Sequence, residues 1–377
     1  MLKVEKRLPA SVGAPAIRFE IESGGPVPLA RFMELALYHP EFGYYERADL
    51  EIGRRGDFYT SVSVGPLFGE LLGFQYCRWL GALNVNQPCQ IVEAGAHDGQ
   101  LAWDILQYLR KYQPAVFANL EYGIIEPSPI RNQRQQKLLR EFGPRVRWYS
   151  EWRDIPQKSV SGIIFANELL DAMPVHQFRW NSHRQEWLEF GVGFEKDQFI
   201  WTPLPPEKSD ATAFELLPEL PPDLVEILPD QFHFEVSPAA VGWWRQAALS
   251  LREGYLATVD YGLETEQLLT PERAGGTLRA YHNHQLVANP LLNPGDQDLT
   301  AHVNFTHLIK AGEQNGLRRL ALNSQAQFLH EAVKQAMAQP ALFPAWDSAR
   351  ARHLQTLTHP EHLGRAFKVL TMINKGP

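Results

Sequence analysis

The chain has 377 residues, of which 44% are hydrophobic and 21% charged, with a formal net charge of −7. A chain of this length can bury a large core as one elaborated domain or as two. The acidic balance argues against nucleic acid as a partner, and no run of roughly 18 apolar residues predicts membrane insertion. Two cysteines argue against a disulfide framework and a cysteine zinc site. No secretory signal is recognisable, so we expect a cytoplasmic protein.

Helical apolar spacing occurs twice before a regular alternation begins. A leading segment over residues 1–25 is marked by Pro and Gly, and helices are predicted at 28–37 and 67–80. Further along, the predicted strands are 90–93, 121–126, 146–149, 162–166, 255–260, 317–323 and 367–373, and the predicted helices are 100–112, 129–143, 239–251 and 299–312. Because these strands are apolar and alternate with helices, they predict an α/β fold whose mostly parallel sheet is covered on both faces.

Two stretches interrupt the alternation. In residues 175–230, the segments VHQFRW, EWLEFGVGF and QFIWTPL alternate aromatic and polar residues, which is typical of antiparallel hairpins. This stretch is therefore predicted to be an inserted antiparallel lobe. Residues 262–297 are rich in Gly, Pro and Asn and are predicted to form a long loop or lid.

The stretch IVEAGAHDGQ, residues 91–100, joins the end of a strand to the start of a helix. Ligands of such sheets bind at the carboxyl ends of strands, although a strand–Gly–helix turn also occurs without a ligand. The dinucleotide fingerprint G-x-G-x-x-G needs glycine at 97 and glycine or alanine at 100, where this chain has His97 and Gln100. A P-loop is excluded because no G-K-[ST] follows. Pyrophosphate is therefore a poor fit to this turn.

Acidic residues end the first two strands of the alternation. Glu126 can hold ribose hydroxyls through charge-assisted hydrogen bonds. Glu93 can accept a hydrogen bond from the ammonium group of an amino-acid-like moiety. A nucleoside with a cationic amino-acid tail and no phosphate matches S-adenosylmethionine.

The stretch FANELLDAMPVHQF places Asn167, Glu168 and Asp171 at the carboxyl end of the fourth strand. Polar residues commonly end a strand and cap the next element, which is the structural alternative for each of them. Three polar side chains at the predicted switch point of the sheet favour a functional site.

The chain resembles the MidA-like methyltransferase family, whose mitochondrial members act as protein arginine methyltransferases in respiratory complex I assembly. The matching stretches run in order from about residue 20 to the C-terminus. They are GPVPLARFMELALYHPEFGYY, GDFYTS with GPLFGELL, IVEAGAHDGQLAWDIL, ANELLDAMPVHQF, VDYG, GTLRAYHNH, DLTAHVNFTHL and GRAFKVL.

The resemblance implies a Rossmann-like class I methyltransferase with a seven-stranded core. Residues 86–174 and 231–377 would form this core, residues 1–85 an N-terminal helical extension that covers the cofactor cleft, and residues 175–230 the inserted lobe. The S-adenosylmethionine site would include Glu93, Gly95, Ala96, His97, Gly99, Glu126 and Asn167, with Asp57 and Thr60 on a loop that folds over the cofactor.

The resemblance also implies a protein substrate methylated on an arginine side chain. Carboxylates orient a guanidinium by bidentate hydrogen bonds, and Glu168 and Asp171 are the candidate catalytic residues by position. His302 is a candidate polar wall or proton acceptor, and the alternative is a helix histidine with a structural role. No metal site is predicted because no H-E-x-x-H is present. The sequence does not indicate the oligomeric state.

Two other function classes stay open. A nicotinamide dehydrogenase is disfavoured by the missing G-x-G-x-x-G. A catalytically weak methyltransferase fold, kept as an assembly or interaction factor, is suggested by Ala96-His97-Asp98, which replace the commoner residues of the family's turn. If the turn holds the cofactor, we expect Gly95→Val to abolish binding and to leave the fold intact.

Overall fold

The computed structural model describes residues 13–47, 60–83, 88–282 and 285–376. The helices in these residues are α1 (Ala14–Gly24), α2 (Leu29–Tyr38), α3 (Leu67–Gly81), α4 (Gln100–Tyr112), α5 (Pro114–Ala118), α6 (Pro129–Leu138), α7 (Ala211–Phe214), α8 (Pro222–Ile227), α9 (Pro238–Ser250), α10 (Thr265–Leu268), α11 (Phe305–Gln314), α12 (Gln325–Met337), α13 (Ser348–Thr358) and α14 (Leu363–Ala366). The strands are β1 (Val27–Pro28), β2 (Cys89–Ala94), β3 (Leu120–Ile125), β4 (Val146–Tyr149), β5 (Val160–Asn167), β6 (His176–Asn181), β7 (Glu186–Glu195), β8 (Gln198–Pro203), β9 (His233–Val236), β10 (Leu251–Leu263), β11 (Arg279–His282), β12 (Gln285–Val287), β13 (Asp298–Thr300), β14 (Val303–Asn304), β15 (Arg318–Ser324) and β16 (Phe367–Asn374).

The chain is organised into two compact units, each assembled from segments that lie far apart in the sequence. The first comprises the described parts of 1–51, 172–238 and 268–301, and the second those of 52–171, 239–267 and 302–377. The predicted insert, residues 175–230, lies in the first unit together with parts of the predicted extension and core. The predicted boundaries of the extension, insert and core stay predictions.

The second unit contains the predicted mostly parallel sheet. Its strand order is β15-β16-β10-β5-β2-β3-β4, with β14 paired to β10. Strands β4, β3, β2, β5 and β10 are parallel to one another, and β16 is antiparallel to both β10 and β15. The α/β fold and the seven-stranded path are therefore confirmed. After β2 the chain adds β3 and β4 on one side and then places β5 on the other, so the strand order reverses between β2 and β5. Ligands of open α/β sheets bind at the carboxyl ends of strands at such a reversal.

Helices α3, α4 and α12 build the core of the second unit. Their buried side chains include Phe68, Leu71 and Phe74 of α3, Leu101, Ile105 and Leu109 of α4, and Leu329 and Val333 of α12. They join the same hydrophobic cluster as Ile91, Tyr122 and Phe165 of the sheet. Each large apolar side chain buried in this way stabilises the fold by about 1.5–3 kcal/mol. This core holds the carboxyl ends of the strands in fixed positions.

The first unit is mainly antiparallel, as the aromatic alternation in residues 175–230 predicts. Its five-stranded sheet has the order β1-β7-β6-β9 with β8 paired to β7, and β11 lies between β12 and β13 in a three-stranded sheet. Its core includes Ile17 and Ile21 of α1, which are 0% and 5% exposed, and Phe32 and Met33 of α2.

Two of the predicted elements are wrong, at least in part, and further elements lie where none is predicted. The leading segment 1–25, marked by Pro and Gly, contains a helix that the apolar spacing does not predict, since α1 begins at Ala14. Residues 262–297 are not one long loop, since they contain the end of β10, α10 and the short strands β11 and β12. The helix predicted at 299–312 begins only at Phe305, after β13 and β14, and the Asn304 side chain caps it by accepting from the Thr306 N–H at 3.1 Å. Strand β9 lies where no strand is predicted. Strands of two to four residues are too short to show a periodic pattern.

Candidate active site

The turn after β2 contains three residues in the left-handed backbone region. Gly95, His97 and Gly99 have φ values of +72°, +48° and +91°. Gly99 directly precedes α4, and its N–H donates to the Ala96 carbonyl at 2.7 Å. Left-handed φ favours glycine, so His97 is strained in the position where the dinucleotide fingerprint has a glycine.

Gly95 lies against the side chain of Leu169. A Cβ atom at Gly95 would lie 2.8 Å from Leu169 Cδ1, and any side chain there would also have to adopt the left-handed φ. A valine is β-branched and tolerates this backbone poorly. Gly95→Val therefore strains the turn itself, and the expectation that it abolishes cofactor binding and leaves the fold intact stays a prediction.

Glu93 lies near the end of β2 and is 2% exposed. Its Oε2 accepts a hydrogen bond of 2.6 Å from the Tyr122 hydroxyl. Burial raises the pKa of the Glu93 carboxyl to about 8, with a further increase from the charge of Asp98. Near neutral pH the group is therefore mostly protonated, and a cationic ligand group beside it would favour the ionised form.

Glu126 follows β3 directly and is 3% exposed. Its Oε1 accepts from the Ser128 N–H and from Arg131 Nε, both at 3.0 Å, and its Oε2 accepts from Gln135 Nε2 at 2.9 Å. A carboxylate has about four acceptor positions, so this arrangement leaves one for a ligand hydroxyl. Both ribose hydroxyls can bind only if one of these protein hydrogen bonds is exchanged.

Gln135 on α6 connects the turns after β2 and β3, and sequence reasoning missed it. Its side-chain amide donates to the His97 carbonyl at 2.8 Å as well as to Glu126, and its Oε1 accepts from Trp148 Nε1 at 3.1 Å. It is fully buried. The sequence of α6, PIRNQRQQKL, is polar almost throughout, so no apolar period distinguishes Gln135 from its neighbours.

Asn167 and Glu168 lie at the carboxyl end of β5. Glu168 Oε1 accepts from the Ser61 N–H at 2.9 Å and from Asn167 Nδ2 at 3.2 Å. Burial of the carboxyl group is the main reason that the pKa of Glu168 is raised to about 7. The charge of Asp171 also raises it, and the hydrogen bonds from Ser61 and Asn167 lower it. Asn167 Oδ1 is buried and accepts no hydrogen bond from the residues that the structure describes. The arrangement can therefore receive additional hydrogen-bond donors.

Asp260 at the end of β10 is a second residue that sequence reasoning missed. It is fully buried and accepts from the Leu169, Leu170 and Tyr261 N–H groups at 3.3, 2.8 and 2.9 Å. Burial and the charge of Asp171 raise its pKa well above the usual range. The stretch VDYG contains this residue, but a single Asp at a strand end gives no signal of which backbone groups it binds.

The remaining predicted residues lie in different surroundings. His302 packs edge-to-face on Tyr261, with ring centroids 4.2 Å apart. Tyr261 follows Asp260 in β10. The Thr60 hydroxyl accepts from the Ser63 N–H at 3.2 Å, within the turn that begins the short 3₁₀ helix Val62–Val64. Asp57 lies outside the described residues. The predicted ligand roles of His302, Thr60 and Asp57 stay predictions.

In the described ranges, no three His, Cys, Asp or Glu side chains are grouped so that they could hold a metal ion. No helix within the same ranges is long and apolar enough to cross a membrane.

Known proteins that are similar to this chain identify its cofactor. A family model described as "Putative S-adenosyl-L-methionine-dependent methyltransferase" matches residues 71–323, more than half of the chain. The chain belongs to this family. The protein is an S-adenosylmethionine-dependent methyltransferase, and this assignment replaces the nicotinamide dehydrogenase alternative.

The methyltransferase matches known proteins over nearly its whole length. A Burkholderia thailandensis protein crystallised with S-adenosyl-homocysteine is 29% identical, with a TM-score of 0.81, and the match covers 97% of this chain and 92% of that one. A Drosophila melanogaster protein named protein arginine methyltransferase NDUFAF7 homolog, mitochondrial, is 27% identical over 392 residues, covering 95% of this chain and 84% of that protein. The Homo sapiens protein arginine methyltransferase NDUFAF7, mitochondrial, is 25% identical over 394 residues, covering 95% and 82%.

The residues around the switch point suit the cofactor of the methyltransferase. Glu126 retains an acceptor position for a ribose hydroxyl. The buried Asn167 Oδ1 accepts no hydrogen bond from the described residues, and an ammonium or amide group of a ligand can donate one. Which atoms of S-adenosylmethionine each residue contacts stays a prediction.

Proposed function

We propose that the methyltransferase transfers the methyl group of S-adenosylmethionine to an arginine side chain of a protein. Two kinds of observation support the proposal. Relatives that match nearly the whole chain are named protein arginine methyltransferases. The second unit also has three carboxylates, Glu168, Asp171 and Asp260, whose charges interact at the carboxyl ends of β5 and β10.

The acceptor is a cation, which explains why acidic residues suit it. A guanidinium stays protonated at any physiological pH because its pKa exceeds 12. Carboxylates bind it through charge-assisted hydrogen bonds and hold one nitrogen in a fixed orientation. Glu168 is the residue that we assign to this role, because it is partly exposed and its described hydrogen bonds end on one oxygen only.

When bound, S-adenosylmethionine supplies a methyl group on a positively charged sulfur. In the proposal, Glu126 orients the ribose, the turn from Glu93 to Gly99 orients the amino-acid end, and Glu168 with Asp171 orients the acceptor nitrogen. Holding the two reactants in line lowers the barrier by removing the entropy of their encounter.

Methylation of a guanidinium nitrogen releases one proton, so the site needs an acceptor. The pKa of Glu168, raised to about 7, makes its carboxylate a better proton acceptor than an ordinary glutamate. The observation that carries the proposal is therefore the raised pKa and one-sided hydrogen bonding of this single carboxylate at the switch edge of the sheet.

The proposal is tested by methyl transfer to peptides that differ at one residue. S-adenosylmethionine with a labelled methyl group is incubated with the protein and a library of arginine peptides, each paired with its lysine counterpart. We expect label on arginine, and a loss of about 10²-fold or more in kcat for Glu168→Gln. Glu195→Gln, which changes an exposed carboxylate on β7 of the first unit, should retain wild-type activity. Label on lysine peptides only, or equal activity of the two variants, contradicts the proposal.

A further inference from the structure

A chain of hydrogen bonds links the predicted catalytic carboxylate to two helices distant in sequence. Gln325, the first residue of α12, donates from Nε2 to the Leu357 carbonyl of α13 at 3.0 Å. Its Oε1 accepts from the Ser61 hydroxyl at 3.0 Å. The Ser61 N–H then donates to Glu168 Oε1 at 2.9 Å. Three hydrogen bonds therefore connect Glu168 to the framework of the second unit.

Ser61 and Gln325 are both fully buried, so the hydrogen bond between them is shielded from water. A serine hydroxyl has one proton, and here that proton is directed to Gln325. Ser61 contacts Glu168 through its backbone N–H, and its side chain also favours the ionised form of Glu168, so both effects depend on where the hydroxyl is held. A series of buried hydrogen bonds in which every donor and acceptor is paired is rigid, because breaking any one of them leaves a buried polar group without a partner.

Glu168 itself is in a strained conformation. Its φ is +51°, in the left-handed region, although it is not a glycine. The backbone on both sides is fixed, since the Glu168 N–H donates to the Val259 carbonyl at 2.8 Å and Asp260 accepts from the two following N–H groups. Strained residues persist where surrounding contacts over-determine them, and they concentrate at functional sites.

The hydrogen bonds to Glu168 are one-sided. Both donors in the described residues, the Ser61 N–H and Asn167 Nδ2, contact Oε1. Fixing one oxygen sets the plane and direction of the carboxyl group and leaves the other oxygen for an incoming donor. A guanidinium needs this kind of preset acceptor, because its own donors have a rigid planar geometry.

We propose that Ser61 and Gln325 are positioning residues, which hold the Glu168 carboxylate ionised and oriented for the methyl acceptor. This rests on the proposed function of Glu168 as the carboxylate that binds the acceptor. The alternative is that the three hydrogen bonds only join α12 and α13 to the loop before α3. The two ideas differ in what they predict for the titration of Glu168, since a purely structural link has no reason to change it.

The test compares two serines of the same short segment. Ser61→Ala removes the hydroxyl that anchors the Ser61 N–H, whereas Ser63→Ala removes a hydroxyl that donates only to the Thr60 carbonyl. The Glu168 carboxyl is titrated by carbon-13 NMR in the full chain labelled on glutamate, with Glu168→Gln to assign the signal. We expect the wild-type signal to titrate at about 7. In Ser61→Ala the midpoint should move to higher pH, because a donor to the ionised form is weakened, and Ser63→Ala should match the wild type.

A second measurement connects the titration to the reaction. In the proposal, methyl transfer requires ionised Glu168. The acidic limb of the pH profile of kcat should therefore move to higher pH in Ser61→Ala. The rate should fall by about 2–10-fold at pH 6, the scale of one hydrogen bond, and should approach wild type at pH 9. If Ser61→Ala is too unstable to titrate, Ser61→Ala with Gln325→Met replaces both partners by apolar groups and should show the same shift.

The outcomes separate this inference from the proposed function. An unchanged Glu168 midpoint in Ser61→Ala overturns the positioning role, whatever happens to the rate. A wild-type protein that methylates no arginine peptide overturns the proposed function, and the titration, which needs no substrate, still decides whether Ser61 controls Glu168.

Discussion

His97 and Gly95 lie two residues apart in the turn after β2, and both have left-handed φ values. A residue with a side chain in this region is strained by about 1–2 kcal/mol relative to glycine. His97 adopts this backbone conformation, and its carbonyl accepts a hydrogen bond from the Gln135 side chain. At Gly95 the same backbone is combined with close contact to Leu169. Losing glycine at position 95 should therefore destabilise the protein, whereas gaining glycine at position 97 should not.

We expect Gly95→Ala to lower the free energy of unfolding by about 1–3 kcal/mol, because the new Cβ meets Leu169 and the left-handed backbone becomes strained. His97→Gly relieves strain at one point and increases the freedom of the unfolded chain, so its stability should stay within about 1 kcal/mol of wild type. Urea denaturation of both variants measures the difference. A Gly95→Ala protein as stable as His97→Gly would show that the turn does not require glycine at 95.

At the scale of elements, α6 is the support of the two cofactor-side turns. Gln135 is buried, whereas the next residue, Gln136, is exposed and its amide donates only within the helix, to Asn132. The difference arises from the direction in which each side chain leaves the helix, since the two residues are chemically identical. Gln135 therefore contributes to the site by orienting Glu126 and the His97 carbonyl.

Gln135→Leu should weaken binding of S-adenosyl-homocysteine and lower the free energy of unfolding by about 1–3 kcal/mol, because Glu126 and Trp148 each lose a buried hydrogen bond. The matched variant Gln136→Leu should change the free energy of unfolding by less than about 0.5 kcal/mol and leave binding unaltered. Calorimetric titration and denaturation of the pair measure both effects. Equal affinity of the two variants would contradict a role for Gln135 in the cofactor site.

Elements also differ in how far the sequence predicts them. Helix α4 has the predicted bounds, since its buried residues Leu101, Ile105 and Leu109 recur at helical spacing. Strands β2, β3, β4 and β5 lie within one or two residues of their predicted positions for the same kind of reason, a short apolar run between turn residues. The strands of the first unit between 279 and 300 are three or four residues long, which is too short to show a periodic pattern, and they are defined by their pairing with one another.

Across the whole molecule, the site residues that the structure describes belong to the second unit. Residues before α3, between β2 and β5, and after β10 contribute to it, although they span positions 60–325 of the chain. The sequence predicts Glu126, Asn167 and Glu168 because each follows a recognisable strand. It does not predict Ser61, Gln325 or Asp260, because their contacts depend on the order of strands in the sheet and on helix packing.

Hydrogen exchange with and without S-adenosyl-homocysteine, read by mass spectrometry over the full chain, tests the central claim most directly. The claim is that the cofactor binds at the carboxyl ends of β2, β3 and β5 in the second unit. We expect the ligand to slow exchange in residues 93–99, 126–131 and 167–171, since bound ligand suppresses local opening of the backbone that it contacts. Slower exchange confined to the first unit, or no change in these three turns at saturating ligand, would contradict the claim.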